Sequence, residues 1–223
     1  MISIGFGYPE FIVLTISLCQ IRAIAYRYWR TEKLNNSSNE NSLLFAEFSI
    51  YEKYGKFEMN EKLNFRPPNL NDGFKIHRLI SECPPLDSNS AYCNFLQCSH
   101  FSSTSVIAEA ESDILGWVSG FRSPNADYQF FVWQVAVAPE ARGQGLGLRM
   151  LDALIMRPAL SGITGVATSI SPGNAASWAL FQAFARRHNA ALNHRPWLER
   201  DIHFEGQNDS EHLVMITPLV GHF

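Results

Sequence analysis

The feature that most constrains the fold is the run Val135-Ala-Val-Ala-Pro-Glu-Ala-Arg-Gly-Gln-Gly-Leu-Gly147, followed by an apolar-periodic segment over residues 148–156. A strand ends there, alternating glycines free the backbone, and a helix begins. Such a turn points several backbone N–H groups and the positive end of a helix dipole at one spot, which suits a phosphate-bearing ligand. Gly143, Gly145 and Gly147 let a ligand approach the backbone with no Cβ in the way, and Arg142 adds a fixed positive charge. Two other phosphate loops do not fit. A dinucleotide fingerprint needs G-x-G-x-x-G, and here the third glycine comes one residue too early. A P-loop ends in Gly-Lys-Ser/Thr, where this chain has Gly147-Leu148-Arg149. The alternative is a glycine-rich turn that binds nothing; the Val-x-Val strand, Pro139 and Arg142 at their offsets weigh against it.

At 223 residues the chain fits one domain with room for an N-terminal extension. An apolar content of 46% against 17% charged residues describes a soluble protein with a substantial core. A net charge of −3 and the absence of a basic run give no footprint for nucleic acid. Cys19, Cys83, Cys93 and Cys98 form no C-x-x-C pair and stand in no zinc-spaced His cluster, so they read as reduced thiols of a cytosolic protein without a metal site.

Residues 1–62 read as an extension to a domain spanning 63–219. The apolar run over 11–24 is broken by Gln20 and Arg22 and falls short of the ~20 residues that cross a bilayer. No Lys or Arg precedes it and no small-residue cleavage site closes it, so it is not a signal peptide. Arg27, Arg30, Lys33 and a polar linker over 35–42 follow. Two expectations stand side by side: an N-terminal helix that is amphipathic or disordered, or an over-extended reading frame whose start is Met59.

From Leu63 the pattern becomes regular. A short strand over 63–66 precedes a helix capped by Asn71 or Asp72 and running through Ile76, Leu79 and Ile80. A second helix is expected over 89–101, then strands over 105–109 and 114–121 joined by a hairpin at 110–113. A strongly apolar strand over 130–137 leads into the glycine loop. After a strand at 165–170, Asn174 can cap a helix over 175–188, and late strands are expected at 197–204 and 212–217. Helices alternating with strands around a mixed sheet make the fold α/β or α+β.

The spacing Val-x-Val-x-Pro-x-x-Arg-Gly-x-Gly-x-Gly resembles the acetyl-CoA pyrophosphate loop of the GCN5-related N-acetyltransferases. That resemblance implies a mixed, mostly antiparallel sheet flanked by helices. It also implies a cofactor site made by Val135, Val137, Arg142, Gly143, Gln144, Gly145, Leu146 and Gly147, with Asn174, Ser177 and Phe181 from the later helix. In such enzymes the strand before the loop splays from its parallel neighbour. Its free N–H and C=O groups then bind the pantetheine amides, and one N–H stabilises the thioester oxygen as charge develops there. A plain central strand would share the same sequence.

More narrowly, Cys83-Pro-Pro-Leu-Asp-Ser-Asn-Ser-Ala-Tyr92, His100-Phe101, Phe131-Val-Trp-Gln-Val-Ala-Val137 and Ser169-Ile-Ser-Pro-Gly-Asn-Ala-Ala-Ser-Trp-Ala-Leu-Phe181 resemble the diaminobutyrate acetyltransferases, the ectoine-pathway branch of that group. The match runs in order over residues 63–219. It implies acetyl-CoA as co-substrate, no metal, a cytoplasmic homodimer, and acetylation of the 4-amine of L-2,4-diaminobutyrate. A Lys-like amine is protonated at pH 7, and freeing its lone pair costs about 4–5 kcal/mol. The α-amine is the less basic nitrogen, so regioselectivity must come from clamping the α-end and aiming the distal amine at the thioester.

The resemblance places Asp87, Ser90, Tyr92 and Trp133 in the substrate pocket, Asp87 holding an ammonium and Trp133 walling the aliphatic stem or stacking on the cation. The plainer alternatives are a helix cap for Asp87 and core aromatics for Tyr92 and Trp133. Two departures stand out. Gln207, Asn208 and Asp209 occupy a stretch where the family tends to carry a His, and Phe181 stands where many relatives place a proton-donating Tyr. Proton return then falls to solvent, the substrate ammonium or Tyr92. A water relaying a proton to Glu211 or Asp87 is the expected base, which makes Tyr92 and Glu211 the candidate catalytic groups. The rival readings are an acetyltransferase for another diamine or a protein N-terminus, and a non-catalytic acyl-CoA sensor.

Overall fold

The computed structural model describes residues 63–87 and 89–219, so the expectations for residues 1–62 lie outside the described residues. Its strands are β1 (Asn64–Arg66), β2 (Val106–Ala110), β3 (Asp113–Ser123), β4 (Ala126–Val137), β5 (Gly165–Ile170), β6 (Ala191–Leu198) and β7 (Glu211–Thr217). They form one sheet in the order β1-β2-β3-β4-β5-β7-β6. Among the described residues only the β4–β5 pair is parallel. Among the described residues five α-helices accompany it: α1 (Gly73–Ser81), α2 (Ala91–His100), α3 (Leu146–Ile155), α4 (Ala175–Arg187) and the single turn α5 (Arg200–His203).

Side-chain direction assigns the layers. A Cβ at Gly116 would strike Met150 and Leu146 of α3, so that face of β3 lies under α3. Phe121, on the opposite face by strand alternation, meets Phe101 at the end of α2. α4 joins the α3 layer, because Leu180 packs where a Cβ of Gly147 would sit, and Asp152 of α3 binds Arg187 and His188 at the end of α4. The core between the layers is filled by Ile76, Ile80, Ile107, Trp117, Phe130, Leu151, Leu154 and Phe184, all essentially inaccessible to solvent.

Arg66 of β1 grips two carboxylates at once, Asp72 at 2.8 and 2.9 Å and Glu109 of β2 at 2.8 and 2.9 Å. Burial pushes the Asp72 carboxyl up, but Arg66 and the Asn69 N–H more than offset this and leave it below the usual carboxylate range. Arg66 holds Glu109 below that range too. Asp72 therefore does not cap α1 as expected; its carboxylate is committed to Arg66 and to closing a capping box with Asn69.

Other expectations need correction. Helix α3 begins at Leu146 rather than Leu148, with Gly145 as its N-cap. Where a strand was expected at 197–204, β6 ends at Leu198 and α5 follows. β6 is an edge strand, exposed along most of its length, so it lacks the apolar alternation that marks a covered strand and tolerates Pro196. The hairpin at 110–113 forms as read, with Glu111 and Ser112 both at positive φ.

Candidate active site

β4 and β5 pair only from Gln129↔Gly165 to Val132↔Thr168. Beyond that rung, residues 134–137 of β4 pair with β3 alone, and Ser169 and Ile170 pair with β7 alone. The sheet opens there into a wedge, closed at its apex by the Thr168 hydroxyl donating to the Val132 carbonyl at 3.0 Å. The Ala138 N–H points to Leu115 of β3. Strand alternation therefore turns the N–H and C=O groups of Val135 and Val137 into the wedge. The Val137 carbonyl is already engaged, accepting from Arg142 Nε at 3.1 Å and from Cys83 Sγ at 3.3 Å. The groups left for a ligand are both polar groups of Val135 and the Val137 N–H.

The glycine loop continues from the wedge. A 3-10 turn over Pro139–Ala141 leads to Arg142, then to Gly143 at φ +75 and Gly145 at φ +70. A Cβ at either glycine would meet nothing within 4 Å, so the loop leaves an open cradle, and no side chain caps the N–H groups at the start of α3. Gln144 braces the loop by donating to the Glu140 carbonyl at 3.1 Å. Leu146 is buried beneath it. Gly147 serves a different purpose from the other two, since its missing Cβ admits Leu180 of α4 rather than a ligand. Asn174 caps α4 by accepting from the Ser177 N–H at 3.1 Å, which leaves its amide nitrogen as a donor beside the cradle's second helix. Phe181 is buried, 2% exposed.

A bulge in β4 builds the other side of the wedge. Ser119 faces Gln134 and Gly120 faces Val132, so Trp133 is an extra residue with no partner across β3. Trp133 meets Phe121 edge-on at 6.4 Å, while Gln134 lies opposite Ser119. Ser119 and Phe121 share a face of β3, so the consecutive side chains Trp133 and Gln134 both stand on the α1–α2 face. Phe121 stacks on Phe131 at 5.3 Å, and Phe131 meets Trp197 of β6 at 6.1 Å, which extends an aromatic floor from Trp133 across this face.

Asp87 reaches this floor through its backbone, whose carbonyl accepts from Gln134 Nε2 at 3.1 Å. The capping role considered for Asp87 belongs to Ser90, whose Oγ accepts from the Cys93 N–H at 3.2 Å. Tyr92, in the first turn of α2, is 71% exposed and Trp133 is 44% exposed, so neither is a core aromatic. Glu211 opens β7 opposite Leu198. Its neighbour His212 points toward Trp178 of α4, which by alternation puts Glu211 on the α1–α2 face with Trp133. Among the described residues no hydrogen bond joins Glu211 to Tyr92. Gln134, Asn89 and Cys83 were missed as site residues; Gln134 stood in the quoted Trp-Gln-Val string, but the bulge that aims it leaves no local sequence signal.

The sequence profile of the acetyltransferase (GNAT) family matches residues 74–185. An L-2,4-diaminobutyric acid acetyltransferase of Vibrio parahaemolyticus is 43% identical over 171 residues, covering 77% of this chain and 94% of its own. One from Vibrio cholerae is 47% identical over 152 residues, 68% of this chain and 88% of its own. Among solved structures, the diaminobutyrate acetyltransferase of Paenibacillus lautus in complex with its substrate L-2,4-diaminobutyric acid and coenzyme A aligns with TM-score 0.70 at 34% identity, over 74% of this chain and 99% of that one. The chain belongs to the GNAT family of acetyltransferases.

Proposed function

We propose that this protein transfers the acetyl group of acetyl-CoA to the 4-amino group of L-2,4-diaminobutyrate, the reaction of the ectoine pathway. The observation that carries the reading is the wedge at 133–137 with a glycine cradle at one end and an aromatic, acidic face at the other. Both glycines of the cradle lack a Cβ where a diphosphate would lie, so the residues present fit the cofactor. Acetyl-CoA supplies an acyl group activated as a thioester. Gly143, Gly145 and the first N–H groups of α3 hold its diphosphate with Arg142, Asn174 and Ser177. The Val135 and Val137 backbone groups take the pantetheine as a neighbouring strand would, and the Val135 N–H donates to the thioester oxygen as charge develops on it.

Asp87 holds the α-ammonium of the acceptor, Ser90 and Tyr92 line the same loop, and Trp133 walls the stem so that the 4-amine faces the thioester. The 4-ammonium loses its proton through water to Glu211 on the acceptor face. The amine nitrogen then forms the new C–N bond and the C–S bond breaks; Tyr92 protonates the leaving thiolate, since Phe181 has no proton to give, and regains a proton as the new amide nitrogen sheds its surplus one. The protein works as a homodimer in the cytoplasm, a reading supported by the free thiols of Cys83, Cys93 and Cys98 and by the resemblance rather than by any interface.

The test is thiol release from acetyl-CoA with L-2,4-diaminobutyrate, diaminopropionate, ornithine and lysine, with NMR of the product. Acetylation confined to the 4-amine, strongly reduced by Asp87→Ala, is the expected result. Equal turnover of ornithine or lysine would point to another diamine, and CoA binding without turnover on any amine would leave a sensor.

A further inference from the structure

We propose that Gln134 is a positioning residue that sets the length of acceptor the site takes, by clamping the Asp87 loop onto the cofactor strand. The inference rests on the diaminobutyrate reading and deepens it. Between α1 and α2, residues 82–87, 89 and 90 form neither helix nor strand, and among the described residues the Asp87 side chain makes no hydrogen bond or ion pair of its own. Only the backbone of this loop can fix where the carboxylate sits. Three bonds tie this loop to β4, one of them directly to its backbone: Gln134 Nε2 to the Asp87 carbonyl at 3.1 Å, with Cys83 Sγ to the Val137 carbonyl at 3.3 Å and Asn89 Nδ2 to Gln134 Oε1 at 3.1 Å. Gln134 makes two of the three and engages both ends of its amide.

The surroundings sharpen the assignment. Gln134 is 8% exposed, so its bonds face little competition from water. Both ends of the Gln134 amide go to the loop, and among the described residues the buried Ser119 hydroxyl directly opposite on β3 has no hydrogen-bond partner. The bulge at Trp133 puts Gln134 beside the acceptor wall and next to Val135, whose polar groups face the wedge. One side chain thus spans from the strand that aligns the thioester to the loop that holds the ammonium anchor. Diaminobutyrate and ornithine differ by one methylene, roughly 1.3 Å of reach. A misplacement of about 1 Å costs up to a hundredfold in rate, so a fixed anchor-to-wedge distance is enough to tell them apart.

Steady-state kinetics of Gln134→Ala, Gln134→Glu and Asn89→Ala, with hydrogen exchange of the peptide spanning 83–93, tests the clamp. Losing both amide bonds raises the diaminobutyrate KM about tenfold and lowers the preference over ornithine by a similar factor, while the acetyl-CoA KM stays within about twofold. Gln134→Glu keeps the acceptor for Asn89 but loses the donor to Asp87, and falls between the two. The Gln134→Ala/Asn89→Ala double variant is no worse than Gln134→Ala alone, because both act through one clamp. Loop exchange speeds up about tenfold in Gln134→Ala. Parallel rises in both KM values, an unchanged ornithine preference, or unchanged loop exchange would overturn the proposal. If the wild-type protein does not turn over diaminobutyrate, the functional reading fails separately and loop exchange alone decides the clamp.

Discussion

Gly145→Ala separates a glycine needed by the chain from a glycine needed by the ligand. Gly145 sits at φ +70, where a side chain costs about 1–2 kcal/mol. The entropy that alanine removes from the unfolded chain returns roughly 0.4–1 kcal/mol, leaving a net loss near 1 kcal/mol. Nothing lies within 4 Å of the new Cβ, so no clash adds to this. The expected fall in Tm is about 2–4 °C. Gly162 provides the control: it too is left-handed, at φ +78, with nothing within 4 Å, but it lies in the turn before β5 rather than in the cradle. Gly162→Ala should cost the same stability. Only Gly145→Ala puts a methyl group where the diphosphate is proposed to sit, and losing one charge-assisted N–H bond there is worth about 1.5–3 kcal/mol, a 10- to 150-fold rise in the acetyl-CoA KM. Thermal unfolding and initial rates at varied acetyl-CoA give both numbers. An acetyl-CoA KM within twofold of wild type for Gly145→Ala, or an equal rise for Gly162→Ala, refutes the assignment of the cradle.

Arg66→Met strands two carboxylates, one of them almost inaccessible, and should cost about 2–4 kcal/mol at pH 7. Asp72 and Glu109 have depressed folded-state pKa values, so their contribution is complete above the unfolded value near 4 and fades as pH falls through the folded ones. The gap between wild type and variant in urea unfolding should therefore narrow between pH 7 and pH 3.5; a constant gap would show that the ion pairs do not supply it. Tyr92→Phe removes the phenol proposed to protonate the leaving thiolate and should lower kcat by about 10- to 100-fold with little change in either KM. A kcat within twofold of wild type would hand that proton to solvent.

Much of the frame is legible in the chain. The Val-x-Val strand, the glycine loop, the helix after it and the Asn174 cap depend on neighbours a few residues away, which is why they can be read locally. What misled was local ambiguity. Asp72 and Asp87 both look like caps, but Asp72 is claimed by Arg66, and the cap of α2 goes to Ser90. β6 was misplaced because an edge strand needs only one bonded side and no apolar face.

The sequence by itself determined the family and proposed the residues of a cofactor loop and an acceptor site, because those readings rest on short spacings and on the chemistry of single side chains. The tertiary structure decided how they meet. The wedge exists because β5 keeps its pairing with β7 through Ile170 but loses its pairing with β4 after Thr168, a divergence between strands more than thirty residues apart. The bulge at Trp133 depends on register with β3, and it alone turns two successive side chains to one face and gives Gln134 the loop that carries Asp87. Register and strand divergence are set by packing over the whole sheet, and no local run of residues encodes them.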